Sequence, residues 1–348
     1  MSHIKTLFRN SLPAPCLPAR ALLIVALLAA VILTGTACRQ EPPPTGPPEK
    51  IIIAHPTTFN GALVPVALVK GYFTEEGLDA TLQLHAFGKQ ALNALIEEKA
   101  DLATAADTPI MFAVMNGKKI TIPAVIQTAG KNTAIVARKD LGINKPSDLK
   151  GKTIGVTRGT TSDFFTDAFL TVHGIDKKNV KIIDLKPDEM AAALAAGRVD
   201  AVSTWNPVLT QLQKALKHQG ITFYGETIYT EAFGLTARQD FVKQHPEAVK
   251  KVLRALIKAE VFVRQHPEES RRLVAEFIKA DKALLDEIWD IYHFRVTLDQ
   301  AFLVDLEDQT RWALKNRLTV RKDMPNYLDF IYVDGLQAVK PDAIRIIR

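Results

Sequence analysis

Short apolar strands alternate with helical segments along most of this chain, and this alternation restricts the fold more than any other feature. Residues 51–54 form an apolar run of the kind that is buried on both faces of a parallel sheet. One series of strands and helices reaches Gln127, and a second runs from Thr153 to Ser203. Such alternation predicts doubly wound α/β layers with parallel sheets, and two series predict two lobes. The mostly helical stretch after Gln239 predicts helices that pack on the first lobe.

The same pattern gives boundaries for the two lobes. Residues 133–138 and 228–238 are candidates for two strands that cross between them. We predict that residues 50–137 form the first part of lobe 1 and residues 138–230 form lobe 2. Residues 231–348 would return to complete lobe 1, and the chain is long enough for two domains of ordinary size.

The N-terminus has the composition of an export signal. Three basic residues precede an apolar run over residues 21–33, and small residues then lead into Cys38. This order is typical of a secretory signal peptide, and the run is shorter than the roughly 20 apolar residues of a membrane-spanning helix. We predict that residues 1–37 are removed. The alternative is an uncleaved anchor, and in either case the globular part lies outside the cytoplasmic membrane.

Residues 34–38 resemble the bacterial lipobox, in which the cysteine thiol is diacylated. The resemblance implies a lipid such as palmitate on Cys38, which would anchor the chain at the periplasmic membrane face or the cell surface. In the uncleaved alternative Cys38 is an ordinary thiol. Residues 38–49 are rich in proline and lack core-forming side chains, so they predict a stiff tether.

Charge and cysteine content argue against several functions. The formal net charge is +6, and without three basic leader residues it is about +3, with 41 basic and 38 acidic residues dispersed among one another. This pattern does not favour nucleic acid. Cys16 lies in the leader, so a mature chain has no cysteine pair. The eight histidines lack metal-ligand spacing and no G-x-S-x-G elbow is present. We expect no cofactor, metal site or catalytic residue.

Five segments, in order, resemble those of the periplasmic binding proteins for sulfonates, taurine, nitrate and thiamine precursors. They are residues 70–79 (KGYFTEEGLD), 97–103 (EEKADLA), 147–156 (SDLKGKTIGV), 196–207 (AGRVDA followed by WNP) and the helical pair at 241–269. Glu98 stands where the family usually has glycine. The resemblance covers essentially residues 50–348.

The resemblance implies a type 2 periplasmic binding fold, with a ligand in the cleft between two lobes. It also implies the solute-binding component of an ABC importer, a monomer that closes around a small organic anion or zwitterion and delivers it to permease and ATPase subunits. Two alternatives use the same fold. One is a periplasmic ligand-sensing module, and the other is an enzyme like the cytosolic thiamine-pyrimidine synthase, which has a cysteine-rich segment.

Ligands of such folds bind beyond the carboxyl ends of strands, where helix N-termini present free amides. We therefore selected polar or aromatic residues in such positions. The candidates are Thr57, Thr58, Asn60, Asp107, Thr108, Gly159, Thr160, Thr161, Trp205, Asn206 and Phe233. The threonines and Asp107 could equally serve as helix caps, and Trp205 could be a core residue. An Asp107 that faces the cleft would favour an amine on the ligand.

Overall fold

Two β-sheets organise residues 46–347, the part of the chain described by the computed structural model. The predicted signal peptide, Cys38 and most of the tether lie outside this range. The strands are β1 (Glu49–Pro56), β2 (Leu78–His85), β3 (Leu102–Ala106), β4 (Ile120–Ala129), β5 (Thr133–Arg138), β6 (Thr153–Val156), β7 (Lys181–Asp184), β8 (Ala201–Trp205), β9 (Gly220–Tyr224), β10 (Glu231–Arg238), β11 (His293–Asp299) and β12 (Ile344–Arg345). Lobe 1 holds seven of them in the order β12-β11-β4-β10-β3-β1-β2, and lobe 2 holds five in the order β7-β6-β8-β5-β9.

Helices flank both sheets. Lobe 1 contains α1 (Leu63–Val69), α2 (Tyr72–Glu75), α3 (Gly88–Ile96) and α4 (Asp107–Met115); lobe 2 contains α5 (Thr161–Val172), α6 (Met190–Ala195) and α7 (Val208–Leu216). The chain then returns to lobe 1 with α8 (Gln239–Gln244), α9 (Pro246–Gln265), α10 (Pro267–Ile278), α11 (Lys282–Ile288), α12 (Gln300–Lys315) and α13 (Val333–Val339). The 20-residue α9 lies against α1, β11 and α13, so the predicted packing of the C-terminal helices on lobe 1 is confirmed.

Both sheets are mixed, whereas the sequence pattern predicted parallel sheets. Strands β1, β2 and β3 are parallel neighbours, but β10 is inserted between β3 and β4 and runs antiparallel to both. In lobe 2, β6, β7 and β8 are parallel and β5 is antiparallel to β8 and β9. In lobe 1, β11 is also antiparallel to β4, whereas the reversed strands β5 and β10 each follow a passage between the lobes. A parallel neighbour requires a right-handed helical crossover, and these two strands enter without one.

The chain passes from lobe 1 to lobe 2 at residues 130–132, which connect β4 to β5. It returns to lobe 1 at residues 225–230, which connect β9 to β10. The predicted boundary at residue 137 assigned β5 to lobe 1, whereas β5 pairs with β8 and β9 in lobe 2. The return at residue 231 coincides with the start of β10. The C-terminal part also contributes strands β11 and β12, which the prediction of a mostly helical segment did not include.

Residues 46–347 lack two features, a membrane-spanning helix and a cluster of metal ligands. None of the helices there is long and apolar enough to span a membrane. No group of three or more histidine, cysteine, aspartate or glutamate residues within that range is placed to hold a metal ion.

Candidate functional site

A cavity lies between the two lobes, and we call it the cleft cavity. Its enclosed volume is about 30 Å³ in this arrangement of the lobes. It is lined by Thr58, Asn60, Phe87, Gly88, Lys89, Ala106, Pro109, Thr160, Thr161, Trp205, Glu231 and Phe233. Lobe 1 and lobe 2 both contribute to this wall, so a molecule held there contacts both.

Six of the eleven predicted site residues line the cleft cavity. They are Thr58, Asn60, Thr160, Thr161, Trp205 and Phe233. Thr58 and Asn60 follow β1, and Trp205 ends β8, as the rule on strand ends predicts. Phe233 belongs to β10 and lies beside Gly61 and Gly88, where an added Cβ would be 3.0 and 3.5 Å from its ring.

Helix α5 brings its N-terminus to the cleft. Thr160 precedes the helix with extended backbone angles, and its hydroxyl donates to the Thr157 carbonyl at 2.7 Å. The Asp163 carboxylate accepts a hydrogen bond from the Gly159 backbone amide at 3.0 Å, so that amide already has a partner. The first amides of a helix have no intrahelical partner, and they carry the positive end of the helix dipole. This end of the cavity is therefore suited to an acidic oxygen.

Lys89 links the lobes at the same end of the cavity. It lies on α3 of lobe 1, and its ammonium donates to the Arg158 carbonyl of lobe 2 at 2.7 Å. A Cβ on Gly159 would be 2.9 Å from Lys89 Nζ, and Gly159 has a left-handed φ of +67°. The φ angle favours glycine at this position, whereas the lysine tip could move aside for a Cβ. Burial lowers the pKa of Lys89, while Asp184 and Asp163 oppose that shift.

Aromatic rings form the wall between the lobes. The rings of Phe87 in lobe 1 and Trp205 in lobe 2 are 6.2 Å apart between centroids and inclined at 54°. A second aromatic contact between the lobes joins Phe164 of α5 to Trp312 of α12, and their ring centroids are 5.4 Å apart. Trp205 is only 8% exposed, so the structure describes a closed arrangement of the two lobes.

Glu231 lines the cavity as a buried carboxyl group, and it was not among the residues predicted from the sequence. Its side chain accepts hydrogen bonds from Asn60 Nδ2 and from Asn132 Nδ2, the latter at 2.9 Å, and Thr133 Oγ1 lies at 3.5 Å. Glu231 is 2% exposed. Burial first, and the nearby Asp107 second, raise the pKa of Glu231 to about 8.

Asp107 and Thr108 do not line the cleft cavity. Asp107 is fully buried, and its carboxylate accepts from the Tyr229 hydroxyl, from the Ala232 amide at 3.2 Å and from the Thr108 amide at 2.7 Å. Burial raises the pKa of Asp107 to about 6, although these hydrogen bonds act in the opposite direction. The Asp107 side chain thus fastens α4 to the segment that returns from lobe 2.

Thr57 and Asn206 also lie outside the cavity wall. Thr57 Oγ1 donates to the His85 carbonyl at 3.2 Å, which joins the ends of β1 and β2. Asn206 Oδ1 accepts from the Thr210 amide at 3.3 Å and from the Thr210 hydroxyl at 2.7 Å. Gly159 borders the cavity through its contact with Lys89.

Phe87, Gly88 and Lys89 were missed although they follow β2, where the same rule applies. The predicted site was limited to short polar residues, one glycine and the two aromatic residues Trp205 and Phe233, so it did not include Phe87 or Lys89. Applying the rule to every strand end, with basic and aromatic residues included, would have found Phe87 and Lys89.

Solved structures and curated relatives agree with this architecture. The alkanesulfonate-binding protein SsuA from Xanthomonas axonopodis pv. citri, bound to MOPS, has a TM-score of 0.72 at 18% identity, covering 83% of this chain and 100% of SsuA. The taurine-binding periplasmic protein of Escherichia coli is 27% identical over 60% of this chain and 65% of its own length. The chain spans about 60 to 65% of the length of several curated relatives that it matches.

The two lobes, the mixed sheets and the cleft between them define a protein of the type 2 periplasmic binding fold. The family model described as NMT1/THI5 like matches residues 58–270. This chain belongs to that family. The fold also occurs in the desulfinase DSZB, which in complex with biphenyl-2-sulfinic acid has a TM-score of 0.61 at 16% identity over 83% of this chain. The fold alone therefore does not decide between binding and catalysis.

Proposed function

We propose that this chain is the solute-binding component of an ABC importer. It captures a small organic anion or zwitterion in the cleft cavity and delivers it to a membrane permease with its ATPase. The observation that carries this proposal is a cleft lined by hydroxyl, aromatic and charged side chains from both lobes. Relatives that are binding proteins for sulfonate or taurine support it.

The mechanism of capture is hinge closure about the passages at residues 130–132 and 225–230. A ligand that contacts Asn60 in lobe 1 and Thr161 in lobe 2 stabilises the closed form, because both sets of contacts exist only when the lobes are close. The permease then recognises the closed surface. A lipid on Cys38 and the tether would keep this monomeric protein near the permease, in the periplasm or at the cell surface.

A calorimetric panel tests the proposed function. Taurine, alkanesulfonates, nitrate, aminopyrimidines and dicarboxylates would be titrated into the purified chain. We expect at least one class to bind with a dissociation constant of about 10 μM or tighter, since roughly 7 kcal/mol is readily supplied by a cleft that encloses a small ligand. Silence across this panel and a wider set of small metabolites would reject the proposal.

Removal of the Lys89 link is expected to favour the open form. Lys89→Met eliminates the hydrogen bond to the Arg158 carbonyl, and a hydrogen bond to a charged group contributes about 1.5–3 kcal/mol. The ratio of open to closed molecules should then rise by roughly tenfold or more. Small-angle scattering of the ligand-free chain would measure this change.

Lys118→Met is the matched control for that experiment, because Lys118 is exposed and lies outside the cleft. Its scattering curve should equal that of the unaltered chain. If Lys89→Met also leaves the scattering unchanged, Lys89 has no part in holding the lobes together.

A further inference from the structure

Asn60 presents an unused acceptor to the cleft cavity. Its Oδ1 atom is buried and has no hydrogen-bond partner among the described residues, and the whole residue is 2% exposed. The orientation of the amide follows from its other side, because Nδ2 donates to Glu231 Oε1. A buried carbonyl oxygen without a donor is costly, and one that lines a cavity is suited to a donor brought by a ligand.

Glu231 adds a second acceptor beside Asn60. It lines the same cavity, and its described hydrogen-bond partners are neutral amide and hydroxyl groups. Among residues 46–347 no lysine, arginine or histidine forms an ion pair with it. A buried carboxyl group without a cationic partner is favoured in its charged form when an opposite charge comes within about 4–6 Å.

The opposite chemistry is found elsewhere in the cavity wall. Lys89 carries a positive charge, and Thr160 and Thr161 mark the N-terminus of α5 with its free amides. The cleft thus combines an acceptor group, formed by Asn60 and Glu231, with a donor group that suits an acidic oxygen.

We propose that the ligand carries a nitrogen that donates hydrogen bonds, an ammonium or an amino group, which binds to Asn60 Oδ1 and the Glu231 carboxyl group. This inference rests on the proposed function, because it concerns the same cleft. It narrows the ligand from small anions in general to amino acids of the aminosulfonate or aminocarboxylate type, or to amino heterocycles. A bare anion leaves Asn60 Oδ1 unpaired and faces the Glu231 carboxyl group.

Matched pairs of compounds test the inference. The pairs are taurine with ethanesulfonate, β-alanine with propionate, and 4-aminopyrimidine with pyrimidine, each titrated by calorimetry at pH 7. We expect the amino member of at least one pair to bind at least about tenfold more tightly than its partner, because a site built to hydrogen-bond an N–H group rejects the analogue that lacks it. A preference for the amino member of less than about tenfold in every pair that binds, or tighter binding of the amino-free member, overturns the inference.

The two proposals fail in different ways. If nitrate or an alkanesulfonate binds and every amino compound does not, the inference is wrong and the proposed function stands. If none of the amino compounds binds, the inference is likewise overturned. The calorimetric panel described above then decides whether the proposed function stands.

Two variants locate the effect. Asn60→Leu removes the acceptor at similar size, and we expect it to bring the affinity ratio within the pair to about threefold or less. Asn60→Asp retains an acceptor and should preserve the preference for the amino member. Asn144→Leu is the control for an asparagine outside the cleft cavity, since Asn144 is exposed in lobe 2 and does not line the cavity.

A merely structural role for Asn60 would weaken both members of a pair alike and leave their ratio unchanged. Thermal unfolding of each variant shows whether it is folded. If Asn60→Leu does not fold, Glu231→Gln provides the same test, because loss of the carboxylate should reduce the affinity for an ammonium compound by about tenfold or more and spare its amino-free partner. An unchanged ratio in the folded variant contradicts the proposal.

Discussion

Glu231→Gln is expected to raise the free energy of unfolding at pH 9 by roughly 3–5 kcal/mol and to change it little at pH 4. The pKa of Glu231 is raised from 4.5 to about 8 in the folded chain, and each pKa unit corresponds to about 1.4 kcal/mol. An acid whose folded pKa is raised contributes stability below its unfolded pKa. That stability is lost as the pH rises from about 4.5 through 8. Glutamine keeps the acceptor for Asn60 and Asn132 without this dependence.

Urea unfolding between pH 4 and pH 9 measures this effect. The variant should retain part of the slope, because burial also raises the pKa of Asp107 to about 6 and that of Asp305 to about 7. Asp290→Asn, which removes an exposed carboxylate, serves as the control and should follow the unaltered chain. Stability curves for Glu231→Gln and the unaltered chain that run parallel over the whole range would contradict the assigned shift.

Lys340→Met is expected to lower the free energy of unfolding by about 2–4 kcal/mol. Glu260 on α9 is 8% exposed, and its carboxylate accepts from Lys340 Nζ at 2.7 and 2.9 Å and from the Val296 amide at 2.7 Å. The same ammonium donates to the Val296 carbonyl at 3.2 Å. This pair joins α9, β11 and the end of α13, and its loss leaves a buried carboxylate without a cation.

The double variant Glu260→Gln with Lys340→Met separates the charge from the packing. It should recover a large part of the lost stability, because no uncompensated charge remains. Lys315→Met is the control, since Lys315 is exposed on α12. Guanidinium unfolding at pH 7 gives the free energy of unfolding of the unaltered chain, of Lys340→Met, of the double variant and of the control. A double variant as unstable as Lys340→Met would show that the lysine acts through its methylene groups and not through its charge.

The architecture was predictable from the sequence because strand and helix periods are local properties. The alternation and the five family segments together gave two lobes with a type 2 fold. Strand partners are not local, and this explains the errors in detail. Residues 133–138 were recognised as a strand, but nothing in them shows that they pair in lobe 2. Strand β11 alternates the apolar residues Phe294, Val296 and Leu298 with polar ones, which is the period of a half-buried strand, but it was missed next to long helices.

The candidate site was predictable where a side chain follows a parallel strand and faces the other lobe. Asn60, Thr161 and Trp205 meet that condition. Asp107 follows β3 as well, but its carboxylate turns inward to a tyrosine and to backbone amides, which the sequence does not reveal.

The rule that site residues follow the carboxyl ends of strands did not predict Glu231, and the reason is geometric. Glu231 begins a strand and does not follow one. Because β10 is antiparallel to β3, with Phe233 opposite Ala106, the first residues of β10 lie at the same edge of the sheet as the end of β3. A search restricted to the residues after strands cannot find a group that precedes an antiparallel strand.

The interruption of lobe 1 by lobe 2 has a consequence for the order in which the chain acquires its structure. Lobe 2 is one continuous segment from β5 to β9, so all its strand partners are near one another along the chain. Lobe 1 needs β10 and β11, which follow that segment, to fill the sheet on both sides of β4. Nearby partners find one another sooner than distant ones. We therefore expect lobe 2 to fold first. The sheet of lobe 1 can be completed only after β10 is translated, more than 100 residues after the end of β4.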